Sequence, residues 1–314
     1  MMKKGVKNNV KKDRRLLSID LLRVIAIVLV IGFHFLYYIK PNESLRNLGF
    51  VGVSLFFIIS GFVLAKNHPK LHKISVKWTL KRYIKVASVY YIAIIAYVIL
   101  FGTQAYSGKI SDILLHFTFL NTLFSSTTYS IIGSAWFLTP LIVLYIVFPY
   151  LNKYISKNVY FLVLAFLITA ILRFYLGWLA DPDPLFFLAE FCFGIAFAHG
   201  KKHSALLISL IMIFIKPIMF LPFILFYLLY FVKTEYLPTK LLHFIGINTF
   251  FLFLYHEAFL YVGFGEWHIF GLSKFAAILL LIIIVISSAY LSKKIQDYLF
   301  SHKFFLGPLY EKSI

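Results

Sequence analysis

Three ionisable residues lie inside one long apolar stretch near the start of the chain. The stretch is Leu16–Tyr38, and the residues are Asp20, Arg23 and His34. In a helix, the eleven residues from Arg23 to His34 make three turns plus about 20°, so both side chains share a face, roughly 16 Å apart. An imidazole accepts and returns protons near neutral pH, and a guanidinium suits an anion such as a phosphate. The spacing indicates a site that binds a phosphorylated molecule near Arg23 and transfers a proton near His34.

Both residues also have a structural alternative. Arg23 can extend its guanidinium to the nearer membrane interface, and His34 can be an interfacial histidine with satisfied hydrogen bonds. The shared face favours the functional interpretation, in which His34 and Arg23 are the catalytic candidates and Asp20 supports them.

A second group of candidates would hold the phosphates of a donor molecule. Lys81, Arg82 and Lys85 stand at the start of the third apolar stretch, where cations can bind such an anion. The usual basic content of a cytoplasmic loop explains the same cluster equally well. Ser60, beside Gly61, belongs to this donor-binding group, although small residues in a membrane helix more often serve close packing.

The supporting candidates carry weaker signals. Glu190 lies in the middle of an apolar stretch, where it is either a polar contact between helices or part of the site. His256 and Glu257 form a candidate proton-relay pair, although neighbouring residues in a helix do not share a face. Trp136 and Tyr255 are further supporting candidates, and their alternative is the aromatic belt at the membrane interface.

Three more polar residues have mainly structural interpretations. Arg173 stands near the outer end of its apolar stretch, where snorkelling to the interface is expected. His116 and Asn121 are weak candidates for lining an acceptor groove. The sequence contains no metal-ligand spacing, phosphate-binding loop or dinucleotide motif, so no metal is expected.

The composition determines the class of protein that must position these residues. The chain has 314 residues, of which 61% are hydrophobic and 14% are charged, and its mean hydropathy is +0.87. A water-soluble fold of this size cannot bury so much apolar surface. The net charge of +19 comes from Lys and Arg in short loops, which is typical of membrane topology and not of nucleic-acid binding. The single cysteine, Cys192, excludes an internal disulfide framework and a cysteine metal cluster.

The apolar stretches predict an all-α protein, a polytopic bundle of about ten transmembrane helices. Basic residues cluster in alternate loops, so both termini are expected to be cytoplasmic. The predicted spans are Leu16–Tyr38, Gly49–Ala65, Tyr83–Phe101, Ala135–Leu151, Tyr160–Trp178, Pro184–His199, Ala205–Ile215, Pro217–Val232, Leu242–Phe264 and Ser273–Leu291.

Two segments need a separate interpretation. Ala205–Val232 is short for two spans, but a single span would place the C-terminal lysines outside, so we predict a hairpin that turns at Lys216-Pro217. In the long loop Gln104–Ser134, the apolar part Ile113–Phe124 is too short to span and is expected to be re-entrant or interfacial. The chain then divides into a basic N-terminal segment 1–15, a membrane domain 16–299 and a cytoplasmic tail 300–314.

Taken together, these residues resemble the acyltransferase-3 family of membrane acyltransferases. Arg23 and His34 fit its Arg-X10-His pattern, and the block Gly52–Phe62 is similar to its Gly-Val-Asp-Leu-Phe-Phe…Ser-Gly-Phe stretch, with Ser54 in place of the aspartate. The basic residues that begin the third stretch resemble its Arg-rich third helix. Further similar segments are Trp136-Phe137-Leu138 with Tyr145 and Phe148-Pro149, Glu190-Phe191 with Gly194, and Gly246 with Tyr255-His256.

The resemblance implies transfer of an acyl group, most often acetyl, from acyl-CoA to a hydroxyl. Acyl-CoA is then a co-substrate, and no cofactor is bound. The implied acceptor is a carbohydrate of the cell surface or an exported polysaccharide, free or lipid-linked. In this scheme Arg23 and the basic cluster bind the donor, and His34 is the general base, with a covalent acyl-histidine step as the alternative. The expected location is the lipid bilayer of the cell membrane.

Two other functions stay open from the sequence. A transporter or flippase for a lipid-linked glycan would have inverted repeats or broken helices at the midplane. A membrane polymerase of polysaccharide would have large extracytoplasmic loops. Neither pattern is evident, and acyl-CoA turnover by the purified protein would distinguish the enzyme from a transporter.

Overall fold

The computed structural model describes residues 3–177, 183–233 and 237–301, with side chains from residue 17 onward except at positions 43 and 301. Every regular element in these ranges is helical, which agrees with the all-α prediction. The α-helices are α1 (Lys3–Ile39), α2 (Arg46–Asn67), α3 (Val76–Phe101), α4 (Ile110–Phe117), α5 (Leu138–Lys157), α6 (Tyr160–Leu176), α7 (Leu188–Ala198), α8 (Lys202–Ser209), α9 (Leu221–Tyr230), α10 (Thr239–Gly263) and α11 (Lys274–Ser301). Short 3-10 helices lie at Glu43–Leu45, Gly102–Gln104, Asn121–Leu123, Gly133–Phe137, Pro184–Phe187, Leu210–Phe214 and Pro217–Phe220.

Within the described ranges, six helical segments are long and apolar enough to cross a membrane. They are Leu17–Ile39, Arg46–Asn67, Val76–Gln104, Gly133–Lys157, Thr239–Gly263 and Lys274–Phe300, and each coincides with a predicted span. The other four predicted spans coincide with shorter apolar helices, at Tyr160–Leu176, Pro184–Ala198, Lys202–Phe214 and Pro217–Tyr230. The protein is therefore an integral membrane protein, with six candidate spans in the part of the chain that the structure describes. Crossing by the four shorter helices, and the cytoplasmic location of both termini, stay predictions.

The segment predicted as a hairpin is interrupted at the expected position. The 3-10 helix Leu210–Phe214 ends at Ile215, the backbone is extended at Lys216 (φ −163°, ψ 128°), and a new helix begins at Pro217. Proline has a fixed φ and no N–H group, so it is favoured at the start of a helix and disfavoured in its interior. The predicted cytoplasmic tail is 300–314, and its residues from 302 onward lie outside the described residues.

The chain divides into two compact units, which are described separately. The first unit combines residues 1–73 and 147–250, and the second combines residues 74–146 and 251–314. The predicted site residues of the first unit are Asp20, Arg23, His34, Ser60 and Glu190. Those of the second unit are Lys81, Arg82, Lys85, Trp136, Tyr255 and His256.

In the first unit, α2 packs closely against α1 and α7 through glycines. A Cβ atom at Gly52 would lie 2.7 Å from the carbonyl oxygen of Ala26 on α1. On the facing surfaces of α2 and α7, side chains at Gly61 and Gly194 would collide with the backbone of the opposite helix. Small residues allow this approach in a membrane, where van der Waals packing holds helices together. Gly61 is thus a packing residue, and it fixes the position of the half-buried Ser60.

In the second unit, side-chain hydrogen bonds join α3 to the C-terminal helices. The Tyr97 hydroxyl donates to the carbonyl oxygen of Leu254 at 2.9 Å. In the middle of α3, the Gln296 side-chain amide donates to the Ser88 hydroxyl at 2.8 Å. These bonds satisfy polar groups that would otherwise be costly in an apolar environment.

Candidate active site

Arg23 and His34 lie on a face of α1 that is directed into the protein. Between them on that face are Ile27 and Val30, each 1% exposed, whereas Val28, which is turned away from it, is 60% exposed. Arg23 and His34 are themselves half-buried. The shared face predicted from the spacing therefore points away from the lipid, with an ionisable group at each end and aliphatic residues between.

Asp20 restrains the guanidinium of Arg23. Arg23 Nη1 donates to Asp20 Oδ1 at 3.2 Å, and the Asp20 side chain is 5% exposed whereas that of Arg23 is 30% exposed. The spacing of three residues puts the two side chains on adjacent turns of α1. The other carboxylate oxygen, Oδ2, lies 2.8 Å from Nδ1 of His243 at the start of α10. Sequence reasoning missed His243, because a partner 223 residues away leaves no local pattern.

Glu190 belongs to a separate, fully buried network. Arg173 Nη2 on α6 forms an ion pair with Glu190 Oε1 on α7 at 2.7 Å, and both side chains are 0% exposed. The Ser54 hydroxyl on α2 donates to the same Oε1 at 3.2 Å. Arg173 Nη2 also donates to the carbonyl oxygen of Phe186. The network therefore connects α2, α6 and α7, which is the alternative that the sequence left open for Glu190.

The same network corrects the prediction for Arg173. Its guanidinium does not snorkel to the interface but lies over the ring of Phe50, 4.9 Å from the centroid. The sequence suggested snorkelling because Arg173 stands near the end of an apolar stretch. In three dimensions the carboxylate of Glu190, 17 residues further along the chain, compensates the positive charge inside the fold.

In the second unit, the basic cluster begins α3. The Ser75 side chain caps this helix by accepting a hydrogen bond from the backbone N–H of Trp78 at 3.4 Å. Arg82 is half-buried and its guanidinium lies 5.6 Å from the centre of the Trp78 ring, whereas Lys85 is exposed. Lys81 is half-buried. The three cations lie in the second and third turns of the helix, and their phosphate-binding role stays a prediction.

The candidates at the end of the chain are buried in the second unit. The Tyr255 hydroxyl shares a hydrogen bond with Ser288 Oγ at 2.9 Å, and His256 Nδ1 lies 2.7 Å from the carbonyl oxygen of Phe253. Glu257 Oε2 accepts from the backbone N–H of Ser134 at 3.0 Å, at the start of the 3-10 helix that carries the half-buried Trp136. Glu257 thus positions this helix by capping it.

The two weak candidates for an acceptor groove are buried and bonded. His116 Nδ1 lies 2.5 Å from the Tyr90 hydroxyl and Nε2 lies 3.0 Å from Ser130 Oγ. The Asn121 amide donates to the carbonyl oxygen of Thr128 at 3.4 Å. Desolvation by burial lowers the pKa of His116 to about 4. Both residues hold the 104–134 segment in place, and their assignment to an acceptor groove stays a prediction.

The fold and these sites define an integral membrane protein with an ionisable site on its first helix. Comparison with protein families then identifies the chain: it belongs to the acyltransferase-3 family, whose model, described as an acyltransferase domain, matches residues 16–215. The matched region includes α1 with Arg23 and His34, and it ends before Tyr255 and His256. Neither the comparison with curated proteins nor that with solved structures found a match. The protein is thus a membrane acyltransferase.

Proposed function

We propose that this acyltransferase moves an acetyl group from acetyl-CoA to a hydroxyl of a cell-surface or exported carbohydrate, at the cell membrane. The proposal rests on the inward face of α1, here called the stripe, which has Arg23 and His34 at its ends and Ile27 and Val30 between them. The chain that carries this stripe belongs to a family of acyltransferases.

The reaction follows from the chemistry of the imidazole. His34 accepts the proton of the acceptor hydroxyl as its oxygen attacks the thioester carbonyl carbon. The new C–O bond forms, the C–S bond breaks, and the CoA thiolate leaves with the proton returned by the imidazolium. In the alternative route, His34 itself takes the acyl group and passes it to the hydroxyl. Both routes require a neutral imidazole at the start.

The spacing of the stripe suits a molecule with phosphates at one end and a thioester at the other. Arg23 and His34 stand roughly 16 Å apart along the helix. In CoA the pantetheine arm separates the phosphates from the thioester, so a donor lying along α1 can reach both residues. The basic residues that begin α3 are a second predicted phosphate-binding group, to be tested by themselves.

The first experiment measures acetyl transfer by the purified protein in lipid nanodiscs. His34→Gln keeps a hydrogen-bonding side chain but cannot take a proton, so transfer should fall by about 10²–10⁴, the usual contribution of a general base. His203→Gln is the matched control, because His203 is an exposed histidine of the first unit, and it should keep full transfer. Near-normal turnover by His34→Gln at wild-type thermal stability would exclude the proposed role of His34.

The acceptor requires a second experiment. Mass spectrometry of surface glycans from cells with and without the gene should reveal acetyl groups that are lost with the gene. A transporter or polymerase would instead change the amount or length of the glycan and would not consume acetyl-CoA in nanodiscs. This pair of measurements separates the proposed enzyme from both rivals.

A further inference from the structure

His243 occupies a position that gives it access to a ligand of Arg23. Its Nδ1 atom lies 2.8 Å from Asp20 Oδ2, while its side chain is 61% exposed. The Asp20 side chain behind it is 5% exposed. One edge of the imidazole is therefore anchored to a buried carboxylate, and Nε2, on the other edge, remains directed away from Asp20.

The backbone fixes this arrangement from both helices. Gly246 stands one turn after His243 on α10, and a Cβ atom there would lie 2.8 Å from Asp20 Cβ. Only a glycine lets α10 approach α1 so closely at this point. On α1, Asp20 and Arg23 are separated by three residues and occupy adjacent turns. The carboxylate is thus enclosed by Gly246 and has one donor on each oxygen.

The charges of the three groups favour an anion on the accessible side. The Asp20 carboxylate and the Arg23 guanidinium cancel, so the group is neutral when the imidazole is neutral and positive when it is protonated. Arg23 and His243 each use one nitrogen on Asp20. Arg23 keeps further N–H groups for a ligand, and Nε2 of His243 donates to a ligand when the imidazole is protonated. Lys240, exposed one turn before His243, adds a further positive charge. An approaching phosphate meets the cations of Arg23 and Lys240, with that of His243 added when the imidazole is protonated, and the carboxylate that would repel it is buried.

We propose that His243 is a donor-binding residue that, together with Arg23, contacts a phosphate group of the acyl-CoA. Asp20 is the positioning residue that orients both. The inference rests on the proposed function and extends it to a residue that lies outside the 16–215 region matched by the family model. In the predicted topology, the starts of α1 and α10 are on the cytoplasmic side, where acyl-CoA is available.

The test compares two donors in nanodiscs. Acetyl-CoA and acetyl-pantetheine carry the same thioester, but only the former has phosphates. His243→Gln should raise the KM for acetyl-CoA about tenfold, as expected for the loss of one hydrogen bond to a charged group, and should leave kcat/KM for acetyl-pantetheine unchanged. His243→Lys retains a cation and should keep the KM for acetyl-CoA within about threefold of wild type. An unchanged KM for acetyl-CoA in His243→Gln, or an equal loss with both donors, would overturn the inference.

Two controls are needed. The first separates a specific role of His243 from the general effect of removing a histidine, and the second separates it from a failure of the wild-type protein to bind the donor. His203→Gln removes an exposed imidazole whose Nδ1 is bonded to a neutral group, the Tyr227 hydroxyl at 2.9 Å, and should leave both donors unaffected. Calorimetric titration with CoA, without acceptor, shows whether the wild-type protein binds the donor. Wild-type protein that does not bind CoA contradicts the proposed function itself. Wild-type binding with equal affinity in His243→Gln contradicts only the role of His243.

Discussion

Two arginine–carboxylate pairs among the described residues of the first unit differ in their surroundings. Arg173 and Glu190 are both completely buried, and Ser54 and the Phe186 carbonyl add one hydrogen bond to each partner. Within the described residues, Arg173 Nε and Nη1 and Glu190 Oε2 have no hydrogen-bond partner. Arg23 and Asp20 are paired at 3.2 Å, but the arginine side chain is 30% exposed. A fully buried pair is held by contacts within the protein, whereas a pair with an exposed cation can exchange solvent for a ligand. We therefore expect burial to separate a structural role from a binding role when the residue types are the same.

The largest expected effect is on the stability of the buried pair. Glu190→Ala leaves the Arg173 charge buried without its partner, which should lower the free energy of unfolding by about 3–5 kcal/mol. The measurement is thermal or denaturant unfolding of the purified protein in detergent. The double variant Arg173→Met with Glu190→Leu removes both charges and should recover much of the loss. A wild-type melting temperature for Glu190→Ala would show that this network is not structural.

A smaller effect is expected from acid on the buried histidine of the second unit. The pKa of His116 is about 4 in the folded protein because of desolvation, and its ordinary value is 6.5. Between about pH 6.5 and pH 4 the imidazole is protonated in the unfolded chain but not in the folded protein. The folded state therefore keeps its full stability above about pH 6.5 and loses stability as the pH falls towards 4. The loss should reach up to about 3 kcal/mol.

The matched variant for this prediction is His116→Gln, which cannot take up the proton. Unfolding followed from pH 7 to pH 4 should show a smaller decline in stability for the variant than for the wild-type protein. Parallel curves for the two proteins would mean that another group governs the acid sensitivity. The result extends the comparison of the two arginine pairs to a histidine. It tests whether a completely buried ionisable group outside those pairs also contributes to stability.

The partly exposed pair should respond more in ligand binding than in stability. Arg23→Ala should weaken CoA binding about tenfold, because a hydrogen-bonded charge on the phosphate is lost. It should lower the free energy of unfolding by less than Glu190→Ala does, because the Asp20 carboxylate keeps His243 as a partner. Arg23→Lys should restore the affinity only in part, since lysine lacks the planar fork of arginine. Calorimetric titration with CoA measures both. An unchanged affinity for CoA in Arg23→Ala would mean that the Arg23–Asp20 pair is structural, like the Arg173–Glu190 pair.

The smallest perturbation tests the side of the membrane on which the exposed pair lies. Reporter fusions at Lys12 and Lys312 should both report a cytoplasmic location, because basic loops alternate along the chain. An outside signal at Lys312 alone would mean that Ala205–Val232 crosses the membrane once. The start of α10 with His243 would then lie on the opposite side from Asp20, in conflict with their contact.

Local regularities of the sequence were sufficient for several features. Composition and the length of apolar stretches determine a helical membrane protein, because no water-soluble fold can bury that surface. The helical period places Arg23 and His34 on one face from their spacing alone. The residues that resembled the acyltransferase-3 family predicted the membership that the match over residues 16–215 confirms.

Only the tertiary structure determined which polar groups are partners. Arg173 and Glu190 stand on different helices, and Ser54 comes from a third, 136 residues before Glu190. Asp20 and His243 are 223 residues apart. Helical periodicity states which face of a helix a residue occupies, but not which helix packs against that face. That choice depends on close approaches such as those at Gly61, Gly194 and Gly246, and it decides whether a charge is enclosed in the fold or remains accessible to a ligand.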